Sequence, residues 1–366
     1  MQLVAYGAQD IYLSGNPQIT FFKVVYRRHT NFAVESIEQT YNGSAATSSK
    51  ISVTVSRNGD LLSGVWIANT PTGISGNKVI TVNEAWANID NVEVEIGGQV
   101  IDKQYGTWMQ IWTDLTHPSD KSTLLDNSLK ASKNTTGSAA TGYLPLQFWF
   151  CRNPGLALPL IALQYHEVKL NITFSATADT TDAGSQTLGS VAVWCDYVFL
   201  DTDERRRFAQ VSHEYLIEQV QYSNALTLSG TSGQHELRFN HPVKELVWVA
   251  GADTTTTPDV EVGTALVQLN GHDRFKRRDG KYFTTVQRYQ HHSGAGASAD
   301  LRKPHVYSFA LKPEEHQPSG TCNFSRIDNA VLNLEYASEA KVLKVYAVNY
   351  NVLRIMSGMG GLAYSN

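Results

Sequence analysis

Asp201 and Asp203 are the residues of this sequence whose type and spacing come closest to a cation site. Carboxylate oxygens are the ligands that Ca²⁺ and Mg²⁺ prefer. Three consecutive arginines, Arg205–Arg207, follow almost at once. Because these cations would neutralise the carboxylates, the pattern favours an ion-pair cluster between two domains over a bound metal.

His291 and His292 are a second candidate for metal binding. Neighbouring side chains on a strand point to opposite faces of the sheet, so these two cannot ligate one ion in regular geometry. The other histidines are scattered along the chain. The sequence therefore predicts no metal site.

Glycine-rich motifs are equally weak evidence for a cofactor. Residues 294–299 superficially fit a dinucleotide-binding fingerprint, but no evident helix follows, which favours a flexible loop. Gly280-Lys281 lacks the upstream glycine of a phosphate-binding loop. Neither a Gly-x-Ser-x-Gly elbow nor a His-Glu-x-x-His site occurs. We predict no catalytic residue, no cofactor and no enzymatic activity; catalytic groups that converge from distant positions are the alternative left open.

Three basic clusters could contact nucleic acid, namely Arg27–His29, Arg205–Arg207 and Lys276–Arg278, the last one flanked by aromatic residues. Basic and aromatic side chains together can bind single strands. The chain as a whole carries 30 cations against 34 carboxylates, a net charge of −4. We therefore expect solvated turns or ion pairs between subunits, and no direct nucleic-acid contact.

Modification and redox chemistry offer two expectations. Cys195 lies in an apolar, strand-like stretch and is predicted to be a buried free thiol. Four Asn-x-Ser/Thr sequons occur, at Asn42, Asn134, Asn171 and Asn323. Asn134, in a loop rich in Ser, Thr and Gly, is the best candidate for glycosylation.

Length and composition indicate a large, well-packed protein. The 366 residues suit two domains, and 42% of them are hydrophobic. Only 17% are charged, which is low for a surface that faces water. Broad polar faces that meet neighbouring subunits would explain this composition, and so would a β-rich domain with a Ser/Thr surface.

Hydrophobic alternation with period two predicts strands through most of the chain. The clearest examples are residues 51–55, 92–96, 170–174 and 332–336. Turn signals lie between strands, at Asn58-Gly59, Gly97-Gly98, Asn270-Gly271 and Asp279-Gly280. The best helical signal is Tyr105–Leu115, where Trp108, Ile111, Trp112 and Leu115 share one face. Strands therefore dominate, which favours a sandwich or barrel.

An internal repeat indicates two similar β-domains in tandem. Residues 165–174 align with residues 327–336 in phase and share a Leu-Asn pair, and residues 92–98 resemble residues 265–271. The charged run near 201–213 separates the two copies, as a solvated connection would.

Three long motifs resemble one family of proteins. Residues 7–32 (GAQDIYLSGNPQITFFKVVYRRHTNF) resemble the N-terminal signature of major capsid proteins of nucleocytoplasmic large DNA viruses, the algal-virus and giant-virus group. Residues 201–210 (DTDERRRFAQ) look like the connector of that family, and residues 349–364 (NYNVLRIMSGMGGLAY) resemble its C-terminus. The likeness spans the chain.

This resemblance implies an all-β fold of two tandem eight-stranded jelly rolls with few short helices. It divides the chain into an N-terminal arm or base segment (1–30), a first jelly roll (31–203), a connector (204–213) and a second jelly roll (214–366). The chain is short for this family, which predicts trimmed outward loops.

The function that the resemblance implies is that of a virion capsid protein. Homotrimers would form pseudo-hexagonal capsomers that tile an icosahedral shell, in contact with neighbouring capsomers, minor capsid proteins and penton proteins, and close to an internal viral membrane. Assembly would take place in a virus factory of the host cytoplasm. A carbohydrate-binding jelly-roll module and a cupin-like metalloenzyme are the alternatives; the latter needs a cluster of His and carboxylate ligands that the sequence does not display.

Overall fold

The computed structural model describes residues 7–72, 79–80, 82–133, 139–175, 187–227, 230–251, 260, 262–294, 304–336 and 342–364. Its helices are α1 (Asp10–Ser14), α2 (Val82–Ala87), α3 (Gly106–Thr116), α4 (Ser119–Leu129), α5 (Trp149–Arg152), α6 (Thr202–Gln210) and α7 (Gln287–His291). A π-helical turn at Tyr282–Val286 precedes α7, and short 3₁₀ turns lie at Pro154–Leu156 and Phe324–Arg326. None of the helices among the described residues is long and apolar enough to cross a lipid bilayer.

The strands of the first half are β1 (Phe32–Gln39), β2 (Tyr41–Asn42), β3 (Lys50–Thr54), β4 (Leu61–Thr72), β5 (Val79–Ile80), β6 (Ile89–Ile96), β7 (Gln99–Tyr105), β8 (Ala131–Lys133), β9 (Ala139–Ala140), β10 (Gly142–Pro145), β11 (Leu158–Pro159), β12 (Val168–Phe174) and β13 (Thr187–Leu200). Those of the second half are β14 (His213–Thr227), β15 (Ser232–Glu236), β16 (Pro242–Gly251), β17 (Val262–Leu269), β18 (His272–Asp273), β19 (Arg278–Asp279), β20 (His305–Ser308), β21 (Cys322–Asn323), β22 (Ala330–Tyr336), β23 (Val342–Met356) and β24 (Met359–Leu362).

Two sheets enclose the core of the first half. One has the order β1-β13-β4-β10, and the other has the order β2-β3-β12-β6-β7. Their inward side chains, among them Ile51, Val92, Leu170 and Val193, are fully buried in one hydrophobic cluster. Burial of this apolar surface is the main force that holds the two sheets together.

The second half repeats this order, except that β2 has no counterpart there. Its sheets are β14-β23-β16-β20 and β15-β22-β17-β18, around a core that includes Val243, Trp248, Val267 and Leu332. Apart from the two-residue strand β2, each half therefore has eight principal strands in two layers of four. The prediction of two tandem eight-stranded jelly rolls is confirmed.

The aligned repeat coincides with equivalent pairs of strands. β12 pairs with β6, with Leu170 opposite Val94, and β22 pairs with β17, with Leu332 opposite Val267. The turns after β6 and β17 are also equivalent, since both central residues have positive φ in each: Gly97 and Gly98, and Asn270 and Gly271. Positive φ at both positions defines the tight turn that fits the twist of a β-hairpin.

The two ends of each jelly roll differ. At one end Phe32 pairs with Leu200, α6 leads across to the second roll, and His213 pairs with Ile355. At the other end Thr72 pairs with Thr187, and Gly251 pairs with Val342. We call the first of these the connector end.

Of the helices in the structure, the sequence predicted α3 alone. The segment Tyr105–Leu115 corresponds to α3, as expected. α4 was not predicted, because only Ser122 and Leu129 of its residues are buried and its apolar face is short. Asp279-Gly280 does not form a turn between strands: Asp279 accepts a hydrogen bond from the backbone N–H of Lys281 (2.8 Å) where a helical segment begins.

Candidate functional site: the junction between the two jelly rolls

Helix α3 of the first roll packs onto the outer face of the sheet β14-β23-β16-β20 of the second roll. The four residues predicted to share one face are all buried in this contact. Their neighbours in the second roll are Val220, Val247, Val249, Val306, Tyr346 and Val348. The amphipathic face of α3 is therefore buried against the second roll. Met109, on the other side of the helix, is buried in the core of the first roll.

Aromatic rings strengthen this apolar contact. The rings of Trp108 and Tyr346 lie 5.2 Å apart between centroids, and those of Tyr105 and Tyr222 lie 4.6 Å apart. Tilted pairs at such distances add stabilisation beyond the area that they bury.

The C-terminal end of α3 is tied to the segment that follows α7. The carbonyl of Leu115 accepts a hydrogen bond from the N–H of Gly294 (2.7 Å), and the Ser293 hydroxyl donates to the carbonyl of Thr116 (3.2 Å). The last carbonyls of a helix lack partners within the helix. The second roll supplies some of these partners.

Buried charges cross the junction beside α3. The Lys244 ammonium, which is fully buried, lies 2.8 Å from Glu218, and Arg152 of the first roll lies 3.1 Å from the same carboxylate. Burial raises the pKa of Glu218, but the charge of Lys244, a hydrogen bond from His316 and the charge of Arg152 outweigh it and lower this pKa to about 2. Arg152 also stacks on Trp112 at 4.1 Å. The carboxylate is thus ionised and joins both rolls.

His292 lies between two carboxylates of the second roll. Its Nε2 is 3.0 Å from Glu245 and its Nδ1 is 3.0 Å from Glu314. Burial lowers the pKa of His292, but the two carboxylates outweigh it and raise this pKa to about 9. The imidazole is therefore charged at neutral pH, which two hydrogen-bonded carboxylates require.

Asp102 of the first roll is buried against β14. Its Oδ1 accepts a hydrogen bond from the N–H of Val220 (3.1 Å), and its Oδ2 accepts one from Gln104 (3.1 Å). Burial raises the pKa of Asp102 to about 6, although these hydrogen bonds and the charge of Arg152 lower it. The Asp102 carboxylate therefore has a hydrogen-bond partner across the junction, on β14.

The hairpin β23–β24 also reaches back to the first roll. Tyr165 donates from its N–H to the carbonyl of Gly358 (3.0 Å), His166 Nδ1 lies 3.0 Å from the carbonyl of Gly360, and Leu362 donates to Gln99 Oε1 (3.3 Å). This second contact lies near the connector end, so the rolls are joined at two places.

The acidic pair near the connector does not form the predicted cluster. Asp201 caps α6 by accepting a hydrogen bond from the N–H of Thr202 (2.7 Å). Arg205 pairs with Asp60 at 2.7 Å, and Asp60 belongs to the first roll. The prediction of an ion-pair cluster between two domains is therefore wrong here, because Arg205 pairs with a residue of the first roll, which precedes it in the chain. Within the described ranges, no group of three or more His, Cys, Asp or Glu residues could hold a metal.

Other predicted residues have structural roles or lie outside the described ranges. His291 is in α7 and not on a strand. Cys195 is buried, as predicted, and burial raises the pKa of its thiol to about 12. Of residues 294–299 only Gly294 is described, and Asn134 also lies outside the described part. Asn171 is buried in β12, which does not suit a glycan.

The basic clusters differ in their surroundings. Arg277 pairs with Glu335 (3.1 Å), and Arg278 stacks on Tyr282 (4.2 Å). Arg27 and Arg28 are exposed on the N-terminal arm, where every residue from Ser14 to Phe32 is exposed. Arg277 therefore pairs within the chain, and the expected ion pairs between subunits stay a prediction.

Comparison with known proteins agrees with this architecture. Residues 20–201 match the family model described as "Major capsid protein N-terminus", and residues 204–361 match "Large eukaryotic DNA virus major capsid protein". The major capsid protein of Pyramimonas orientalis virus is 54% identical over 100% of this chain and 99% of that protein. That of Paramecium bursaria Chlorella virus 1 is 45% identical over the same shares. A quasi-atomic model of the PBCV-1 virus capsid matches with a TM-score of 0.80 and 40% identity, over 95% of this chain and 100% of that chain.

Two fused jelly rolls, together with these matches, identify a structural protein of a virus shell rather than an enzyme. The chain belongs to the family of major capsid proteins of large eukaryotic DNA viruses. Its place is the icosahedral capsid of the virion. The alignment with the Chlorella virus protein runs over 436 positions against 366 residues here, so the chain is short for its family.

Proposed function

We propose that three copies of the chain associate into a ring of six jelly rolls, a pseudo-hexagonal capsomer that tiles the shell. The observation that supports this proposal is the contact between α3 and the sheet β14-β23-β16-β20, which joins unlike surfaces of two similar rolls. Contacts of this head-to-tail kind form closed rings when the rotation between units closes. A roll placed every sixth of a turn would close after three chains.

The same proposal divides the chain as the sequence suggested: arm or base segment 1–30, first roll 31–203, connector 204–213 and second roll 214–366. α6 supports the division, since none of its residues is buried. The partners of the capsomer are neighbouring capsomers, minor capsid proteins and penton proteins, and the shell lies close to an internal viral membrane without direct nucleic-acid contact. Assembly takes place in a virus factory of the host cytoplasm.

Mass photometry of the purified chain tests the trimer. The expected result is one species at three times 40.4 kDa, which negative-stain electron microscopy should show with a hexagonal outline. A monomer at every concentration would contradict the proposal.

The arm is proposed to contact neighbouring subunits or inner minor proteins, because its side chains Phe21, Phe22 and Tyr26 are almost fully exposed. Contiguous exposed apolar surface of this kind marks an interaction site. Deletion of residues 1–25 should impair shell assembly more than trimer formation; equal shell yield would refute this role.

Asn134 remains our candidate for glycosylation. Intact-mass measurement of the protein from virions, compared with an Asn134→Gln variant, tests it: a mass difference larger than the substitution supports the site, and its absence rejects it.

A further inference from the structure

The second roll carries a counterpart of α3 whose outer face is left exposed by the described residues of the chain. This counterpart is the helical segment 280–291, formed by the π-helical turn and α7. Both helical segments follow the short strands that pair beside β6 and β17, the two strands of the aligned repeat. Their starting glycines, Gly106 and Gly280, support the equivalence.

Each of these glycines closely approaches the start of the equivalent strand. A Cβ at Gly106 would lie 2.3 Å from the carbonyl oxygen of Ile89, and a Cβ at Gly280 would lie 1.7 Å from that of Val262. Ile89 begins β6 and Val262 begins β17. Only glycine permits so close a backbone approach, so the two helical segments begin in the same way at the same place in the two rolls.

With the glycines aligned, inward positions correspond as well. Met109 is buried in the core of the first roll, and Phe283, at the same distance from its glycine, is buried in the core of the second. The four α3 residues that contact the neighbouring roll then correspond to Tyr282, Thr285, Val286 and Tyr289. Val286 is 39% exposed and Tyr289 is 91% exposed. The face that α3 uses is therefore open on the second roll.

The receiving surface has a counterpart too. In the junction, Tyr346 of β23 lies opposite Val247 of β16, and both contact α3. At the equivalent place in the first roll, Trp194 of β13 lies opposite Trp66 of β4. The neighbouring strand β10 adds Pro145, opposite Trp66.

These residues lie on the outer face of the sheet β1-β13-β4-β10. Their neighbours in sequence, Val65, Val193 and Cys195, point into the core, so Trp66 and Trp194 must point outward. Both are half-buried and not covered completely. A cavity of about 620 Å³ opens over Trp66 and is bordered by Leu124, which is 72% exposed.

We infer that the helical segment 280–291 of one copy packs on the Trp66–Trp194 surface of a second copy, in the manner of α3 on the second roll within the chain. Val286 and Tyr289 pack on the rings of Trp66 and Trp194. Continuity with the junction inside the chain identifies a second copy as the occupant. This inference rests on the proposed function, since it names the contact that closes the ring of three chains.

Two double variants of the full chain test the two sides of this contact. Val286→Asp with Tyr289→Asp changes the helical side, and Trp66→Asp with Trp194→Asp changes the sheet side. Val211→Asp is the matched control, since Val211 is 53% exposed and lies between α6 and β14, away from both surfaces. Mass photometry over a dilution series should show the trimer of the natural chain and of the control. Both double variants should dissociate at concentrations at least about thirtyfold higher, the effect of losing an aromatic hot spot.

Circular dichroism and a fluorescence melt show whether each variant is folded. If the natural chain is a trimer and the folded helical variant remains one, the inference is overturned and the proposed function stands. If the natural chain is a monomer, both the inference and the proposed trimer are contradicted.

A crosslinking experiment keeps the inference testable should the tryptophan variant fail to fold. Chains with Tyr289→Cys and chains with Trp66→Cys are mixed, and a short bismaleimide is added. A dimer band that contains both variants supports the contact. The same band from Val211→Cys mixed with Trp66→Cys, or its absence from the first mixture, contradicts it.

Discussion

Asn171 and Asn333 occupy equivalent positions in the two jelly rolls and make the same hydrogen bond. Asn171 donates from Nδ2 to Glu95 Oε2 on β6 over 3.0 Å, and Asn333 donates from Nδ2 to Gln268 Oε1 on β17 over 2.9 Å. Both asparagines are buried. Buried amides need such partners, so the duplicated strands share polar contacts as well as apolar alternation.

Replacement of Trp108 by alanine should weaken the junction. The ring is fully buried between α3 and the second roll, and removal of a buried aromatic side chain costs about 3–5 kcal/mol. We expect a lower urea midpoint and, because the rolls lose their shared contact, a transition that separates into two steps. Val211→Ala, at an exposed position between α6 and β14, is the control and should leave the midpoint unchanged. A single, unshifted transition for Trp108→Ala would contradict the role of the junction.

Removal of the Glu218 charge should be more harmful than removal of the whole ion pair. Glu218→Gln leaves Lys244 buried without its nearest counter-charge, which costs about 3–5 kcal/mol. The double variant Glu218→Gln with Lys244→Met should recover most of that loss, as measured by urea denaturation. Glu236→Gln, which breaks the exposed pair with Arg238, is the control and should have no measurable effect. A double variant less stable than Glu218→Gln would show that the ammonium does not need the carboxylate.

His292 predicts a pH dependence on the alkaline side. Its pKa is raised from 6.5 to about 9 in the folded chain, so its stabilisation is fully present below pH 6.5 and is lost as the pH rises through 9. The loss amounts to about 3 kcal/mol. His292→Gln should flatten the stability profile in this window, as followed by urea denaturation at a series of pH values. His272→Gln, at an exposed turn, should keep the slope, and an unchanged slope in His292→Gln would argue against the charged imidazole.

Gly294 should not tolerate a side chain. A Cβ there would lie 2.3 Å from the carbonyl oxygen of Leu115 and 2.4 Å from that of Asp114, both at the end of α3. Gly294→Ala must push the segment away from the first roll, at a cost of about 1–3 kcal/mol. Gly155→Ala, whose nearest neighbour would be 3.3 Å away, is the control. Equal melting temperatures for the two variants would show that the segment can move without loss.

The fold could be predicted because its signals are local or repeated. The alternation of apolar and polar residues indicated the strands, and the Leu-Asn pair that β12 and β22 share indicated the duplication. The face of α3 was also visible in the sequence. Which surface this face would meet was not, because periodicity shows only that a side of the helix is buried, not what buries it.

The polar part of the junction gave no signal for a different reason. Glu218, Lys244 and Glu245 lie on strands that cover the second roll, where a polar residue normally faces water. Here a neighbouring roll covers that face, so Lys244 and Glu245 are fully buried. The clue in hindsight is Lys244-Glu245 inside an otherwise apolar strand, a pair of charges that only a covered sheet would keep.

The two ends of the rolls also bear on how such chains can diversify. The connector, the arm and the hairpin contact are gathered at one end, whereas Thr72 of β4 and Gly251 of β16 lie at the other. An insertion at those far tips lengthens the chain without touching the side walls through which neighbours meet. With the proposed capsomer, we therefore expect the outer surface of the shell to vary in such insertions while the contacts between rolls stay the same.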